Sequence, residues 1–291
     1  MLILAFSEYL AQAQRLATAL NVQLEEVCQH QFPDGESLLR LPTALPEHVV
    51  ICRSLNQPND KLIELMLCAK TARELGAKRV TLVAPYLCYM RQDIANQPGE
   101  AVSQQIIGQM LADLFDDVMT VDPHLHRIST LDQAIPISNA ISLSATDEIG
   151  RFLQTQLKHA VLLGPDAESE QWVQAIAEKI GFEFSVAEKV RLGDKHVTMA
   201  LPDFDFQGKP VVIIDDMAST GRTLAKATGL LLAAGATQVY AAITHPLFCG
   251  DAEAHIMQAG VQKIWSTDSV SHATACIYLD KLLAQAIAEI I

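Results

Sequence analysis

Aromatic residues are scarce in this sequence, at 5% of 291 positions, and charged residues supply only 19% while half the residues are apolar. So little charge with so much apolar content excludes a disordered chain, which cannot bury enough surface to offset its conformational entropy. Of the two signs, positive charge is the scarcer. Lys and Arg number 21 against 34 Asp and Glu, for a net charge of −13. That balance argues against broad binding to nucleic acid or to an acidic membrane, both of which need a basic face. An anionic substrate must then be held by local cations, backbone amides or a metal. The six cysteines (Cys28, Cys52, Cys68, Cys88, Cys249, Cys276) contain no C-x-x-C pair, so zinc and redox motifs are absent. No apolar run approaches the ~20 residues that cross a bilayer. Residues 1–6 are apolar but lack a basic leader, which does not read as a signal peptide. The expectation is a protein of the reducing cytoplasm.

What is present is alternation. Residues 2–6 read as a buried strand, after which Ser7 is placed to cap a helix through Leu20, with Asn21 as its stop. A helix from Asp60 ends at Gly76 before a strand over 79–84. A second, from Glu168, ends at Gly181 before a strand over 182–186. A strand over 211–214 leads to a helix from Arg222 that stops at Gly235 before a strand over 239–244. Short β-branched runs alternating with helical patterns predict an α/β protein with mostly parallel sheets flanked by helices. Gly76-Ala77 and Gly235-Ala236 occupy the same place in a helix–turn–strand unit. This echo supports two similar domains, 1–140 and 141–291, with the boundary in the polar stretch around 136–148.

The most informative stretch runs from Val211 to Leu224. Four apolar residues precede Asp215-Asp216, and Ser219-Thr220-Gly221-Arg222-Thr223 opens a helix. Acids at the carboxyl end of a central strand stand where open α/β sheets bind ligands. Free N–H groups at a helix start bind phosphate, hydroxyls add donors, and glycine lets the backbone come close. Two adjacent carboxylates suit the vicinal hydroxyls of a sugar. The string resembles the fingerprint shared by phosphoribosyltransferases and phosphoribosyl-diphosphate synthetases. The resemblance implies that Asp215 and Asp216 hold ribose hydroxyls while Ser219, Thr220, Gly221 and Thr223 hold the 5-phosphate. Arg222 departs from it, standing where many relatives carry a second glycine.

The first half resembles the synthetase family's ATP side. Phe32-Pro33-Asp34-Gly35-Glu36 is by itself a turn; the resemblance implies that Phe32 stacks on a purine and that Asp34 and Glu36 accept its amine. Within Pro85–Asp93, it assigns Arg91 to phosphate, Gln92 to purine and Asp93 to ordering the arginine. It further implies Mg²⁺ at His124 and Asp166, and a catalytic loop over 188–195 with Lys189 and Arg191 as its cations. His126 has no match and reads as a surface or packing residue. Glu168 and Glu170 add acids where relatives often have small residues. The activity implied is ribose-phosphate diphosphokinase: the β,γ-diphosphate of ATP moves to carbon 1 of ribose 5-phosphate, in a homo-oligomer built from dimers. The competing readings are a phosphoribosyltransferase consuming the diphosphate ester and a non-catalytic synthetase-like subunit.

Overall fold

The computed structural model describes residues 1–125, 127–192 and 196–291, with backbone alone for 189–192 and 196–198. His126 and the tip of the expected catalytic loop, Gly193 to Lys195, lie outside the described residues. Contacts divide the chain into two units. The first comprises Met1–Ser144, Ser269–Ser271 and Leu279–Ile291; the second comprises Ala145–Asp268 and His272–Tyr278.

The first unit begins with β1 (Leu2–Ala5), α1 (Leu10–Leu20) and β2 (Gln23–Glu26), followed by the strands β3 (Cys28–Gln31) and β4 (Ser37–Arg40). It continues through β5 (His48–Cys52), α2 (Pro58–Glu74), β6 (Arg79–Val83), α3 (Ser103–Leu114), β7 (Asp117–Val121) and β8 (Asn139–Leu143). The second unit runs α4 (Thr146–Gln156), β9 (Val161–Gly164), α5 (Glu170–Ile180), β10 (Glu183–Val186), β11 (Glu188–Leu192) and β12 (His196–Ala200). After these come β13 (Pro210–Ala218), α6 (Arg222–Ala233), β14 (Gln238–Pro246), α7 (Ala252–Gln258), β15 (Val261–Thr267) and β16 (Ala275–Ile277). The last helix, α8 (Asp280–Ile290), returns to the first unit and packs on α1.

Each unit is one six-stranded parallel sheet with helices, in orders β2-β1-β5-β6-β7-β8 and β10-β9-β13-β14-β15-β16. Each also carries a separate antiparallel pair, β3 with β4 and β11 with β12, at the corresponding point in the chain. The two halves are therefore built alike. The strands that read as unbroken apolar runs are buried on both faces: β1, residues 49–52 of β5 and residues 211–214 of β13. Gly76 and Gly235 adopt the left-handed backbone (φ 104 and 89) that ends their helices.

Three local expectations differ from the structure. Ser7 opens a short 3-10 turn and caps nothing with its side chain; α1 starts at Leu10. The central strand β13 extends four residues beyond Ile214 and includes both acids, because its ladder with β14 runs on to Ala218 and Pro246. The C-terminal helix packs on α1 and groups with the first unit, whereas the sequence places 141–291 in one domain. Among the described residues no helix is long and apolar enough to cross a membrane.

Candidate functional site

In the second unit, the carboxyl ends of the neighbouring strands β9 and β13 bring Asp166, Asp215 and Asp216 together. Asp216 is buried and Asp215 partly so. The Asp216 amide donates to the Asp215 carboxylate at 3.1 Å. Burial raises the pKa of Asp215 well above the usual carboxylate range, and the nearby charges of Asp216 and Asp166 add to the effect. Asp166 also caps the turn that follows β9, accepting hydrogen bonds from the amides of Glu168 (3.2 Å) and Ser169 (3.3 Å).

The turn after β13 is braced by a neighbouring loop. The N–H groups of Phe248 and Cys249 donate to the carbonyls of Ala218 and Ser219, both at 2.8 Å, and the Ser219 hydroxyl lies 3.6 Å from the Cys249 sulfur. Gly221 precedes α6 with φ 71, and a side chain there would meet the Ala252 carbonyl at 2.8 Å and Ile256 at 2.9 Å. Only glycine satisfies both demands. No side chain caps α6, so its first N–H groups remain available to an anion. Ser219 is partly exposed, and Thr220, Arg222 and Thr223 are exposed around that opening. The sequence signals behind this constellation were the strand, the acids and the glycine. The bracing by Phe248 and Cys249 had no local signal, since it comes from a strand end about thirty residues away.

In the first unit the expected purine contacts Phe32, Asp34 and Glu36 form the tip of the β3–β4 hairpin. The Phe32 amide donates to Glu36 at 2.8 Å, the Asp34 carboxylate accepts from the Glu36 amide at 3.2 Å, and Phe32 is 40% exposed against His30. Arg91, Gln92 and Asp93 follow β6, and His124 follows β7, the adjacent strand. The two loops are tied by Asp93, which pairs with Arg127 at 2.6 Å. The Gln92 side chain accepts from the Ser103 hydroxyl at the start of α3. Lys189 and Arg191 occupy alternate positions of β11, opposite Met199 and Val197.

A doubled α/β unit, one half ending its central strand in paired acids and an uncapped glycine-led helix, defines a protein of the phosphoribosyltransferase-type fold. Residues 1–114 match the profile described as the N-terminal domain of ribose phosphate pyrophosphokinase, and residues 141–257 match the phosphoribosyl transferase domain. The ribose-phosphate pyrophosphokinase of Methanopyrus kandleri is 33% identical, with 99% of this chain and 98% of that protein covered. That of Saccharolobus solfataricus is 34% identical, with 89% of each covered. A crystal structure of phosphoribosylpyrophosphate synthetase from Mycobacterium smegmatis shares the fold, with a TM-score of 0.82 at 22% identity over 99% of this chain and 98% of that one. The chain belongs to the ribose-phosphate pyrophosphokinase family, an enzyme class of diphosphotransferases.

Proposed function

We propose that this protein makes 5-phosphoribosyl 1-diphosphate and AMP from ATP and ribose 5-phosphate. The observation that carries the reading is the end of β13, where Asp215 and Asp216 lead into the open, glycine-led start of α6. In this reading the 5-phosphate sits on the amides and hydroxyls of Ser219, Thr220, Gly221 and Thr223, and the two carboxylates accept from the ribose hydroxyls. Family membership supports the first-unit assignments. Phe32, Asp34, Glu36 and Gln92 address the purine and Arg91 the phosphates; Asp93, expected from the sequence to order Arg91, has an ion pair with Arg127.

The residues present suit magnesium, a cation that takes oxygen ligands, keeps several waters and needs only one or two carboxylates beside substrate phosphates. The raised pKa of Asp215 beside Asp216 and Asp166 marks a place where a divalent cation would relieve repulsion. Among the described residues no group of three or more His, Cys, Asp or Glu forms a protein-only cage. In the second unit Asp166 would hold the ion, which when bound supplies neutralisation of phosphate charge; family membership supports His124, acting through water, as the magnesium residue of the first unit. The chain's own residues align the C1 hydroxyl with the β-phosphorus and place Lys189 and Arg191 against the developing charge; transfers of this kind need positioning more than covalent help. Assembly as a homo-oligomer built from dimers, in the cytoplasm, completes the proposal.

Phosphorus NMR of the protein with ATP, magnesium and ribose 5-phosphate tests it. AMP and a new diphosphate ester are expected together. Supplying phosphoribosyl diphosphate and a base, and finding nucleotide formed instead, would establish the transferase reading.

A further inference from the structure

The first unit has a second ligand-sized constellation that the proposed reaction does not use. Its strand order reverses between β1 and β5: the chain passes from β1 through α1 to β2 on one side, and from β5 through α2 to β6 on the other. Open α/β sheets bind ligands outside the carboxyl ends of strands at such a switch point. The matching point of the second unit, between β9 and β13, carries Asp166, Asp215 and the phosphate turn. The correspondence is close but the chemistry is inverted. Arg53 and Ser54 follow the four apolar residues 49–52, as Asp215 and Asp216 follow 211–214. Gln57 precedes α2 with φ 52, as Gly221 precedes α6 with φ 71.

A cavity of about 370 Å³ opens at this point, within the range of small-molecule sites. Its floor is charged but neutral in sum. Arg53, lying 3.7 Å over the Phe6 ring, pairs with Glu8 at 2.8 Å and with the buried Glu64 at 2.6 Å. Lys61 donates to the Ser54 carbonyl and to Asn56 Oδ1, both at 2.8 Å, and stands 3.6 Å from Glu8. Both cations that line the cavity are thus committed to protein carboxylates. A phosphate would find no uncommitted cation there and would meet the exposed Asp60 at the rim.

The hydrogen-bonding capacity left over is mostly neutral. Asn56 keeps its amide donors, and no side-chain partner among the described residues takes the carboxamides of Gln31 and Gln57, which also line the cavity. Ser54 lines it too, is 1% exposed, and has a hydroxyl with no hydrogen-bond partner. A buried hydroxyl without a partner costs stability in the empty protein, and a ligand that meets it removes the cost.

We propose that this cavity binds an uncharged nucleoside. The carboxamides of Gln31 and Gln57 present donor and acceptor side by side, the pattern that pairs with the edge of a base, and Asn56 adds its amide donors. Glu8 and Asp60 accept from the ribose hydroxyls, and Ser54 supplies the buried contact.

Calorimetric titration of the full chain tests this, with ATP at saturation and ribose 5-phosphate withheld so that the site of the proposed reaction is filled. Adenosine is the main probe, with ribose and AMP as arms that lack the base or add the charge. The expected result is saturable adenosine binding, with ribose and AMP each at least about tenfold weaker. Ser54→Ala and Gln57→Ala are each expected to weaken adenosine by about fivefold or more. Ser54→Ala should also leave the melting temperature unchanged or raised, and both variants should form AMP from ATP and ribose 5-phosphate at the normal rate. No adenosine binding at millimolar concentration, AMP binding as tightly as adenosine, or unchanged affinity in both variants overturns the proposal. The AMP-forming assay on the same preparation separates its failure from failure of the synthetase reading.

Discussion

At Gly221 two constraints meet in one residue: a backbone that disfavours any Cβ and a helix packed too close to admit one. Gly221→Ala should cost about 2–4 kcal/mol, from left-handed strain and overpacking together, and should raise the KM for ribose 5-phosphate. Urea denaturation and initial-rate kinetics would read the two effects. Asp215 makes the opposite trade. Burial and the charges of Asp216 and Asp166 raise its folded pKa above the unfolded value. The stability it contributes is present below the ordinary carboxylate range and is lost as pH rises through the raised folded pKa. Asp215→Asn should therefore raise the melting temperature of the ligand-free protein at neutral pH and flatten its decline with pH. The same change should lower turnover by about 10² or more, since the carboxylate proposed to accept from the ribose hydroxyls becomes an amide. A variant that is both less stable and fully active would remove Asp215 from the site.

Among the elements, the amino-terminal ends of β5 to β8 are joined by one polar network. Arg79 grips Asp117 at 2.8 Å through two nitrogens, Thr81 and Asn139 donate to the same carboxylate at 2.7 and 2.6 Å, and His48 meets Thr81 at 2.9 Å. Burial pushes the pKa of Asp117 up, but the hydrogen bonds from Arg79, Thr81 and Asn139 outweigh it and the net shift is downward. Its contribution is present above the ordinary carboxylate range and is lost as pH falls through the depressed folded value. Asp117→Ala should cost about 3 kcal/mol at pH 7, with a smaller penalty near pH 3, measured by denaturant titration at both. In the second unit, β11 carries the two cations expected to meet the transferring group. Lys189→Ala should lower turnover by about 10²–10³ with ATP affinity nearly intact, as rapid-quench and equilibrium binding would report. An unchanged turnover number would take Lys189 out of the mechanism.

On the scale of the whole molecule, α8 closes the chain onto its beginning. Leu283 and Ile287 are buried, α8 packs on α1, and the Ile290 carbonyl accepts from Arg79 at 2.7 Å. Removing residues 279–291 should expose that face and cost several kcal/mol. Hydrogen exchange should then quicken in β1 and α1 while β13 and β14 keep their protection. Much of the architecture was legible beforehand: residues 2–6 and 211–214 are apolar enough to name as buried strands, and Gly76, Gly181 and Gly235 mark helix ends. Extension of β13 through Asp215 and Asp216 was not legible, because charged residues carry no strand signal and only the ladder to β14 holds them extended. Nor was the place of α8, since amphipathic periodicity says that a face is buried and not against what.

Local chemistry was therefore written in the chain itself. Strand, paired acids, hydroxyls and glycine all lie within residues 211–223, and their order there is what resembles the phosphoribosyl fingerprint. The tertiary structure decided everything that needs two distant segments: Asp166 beside Asp215, the brace from Phe248 and Cys249, and Arg53 shared between Glu8 and Glu64. Those contacts arise from which strands lie side by side, and no run of neighbouring residues encodes that adjacency.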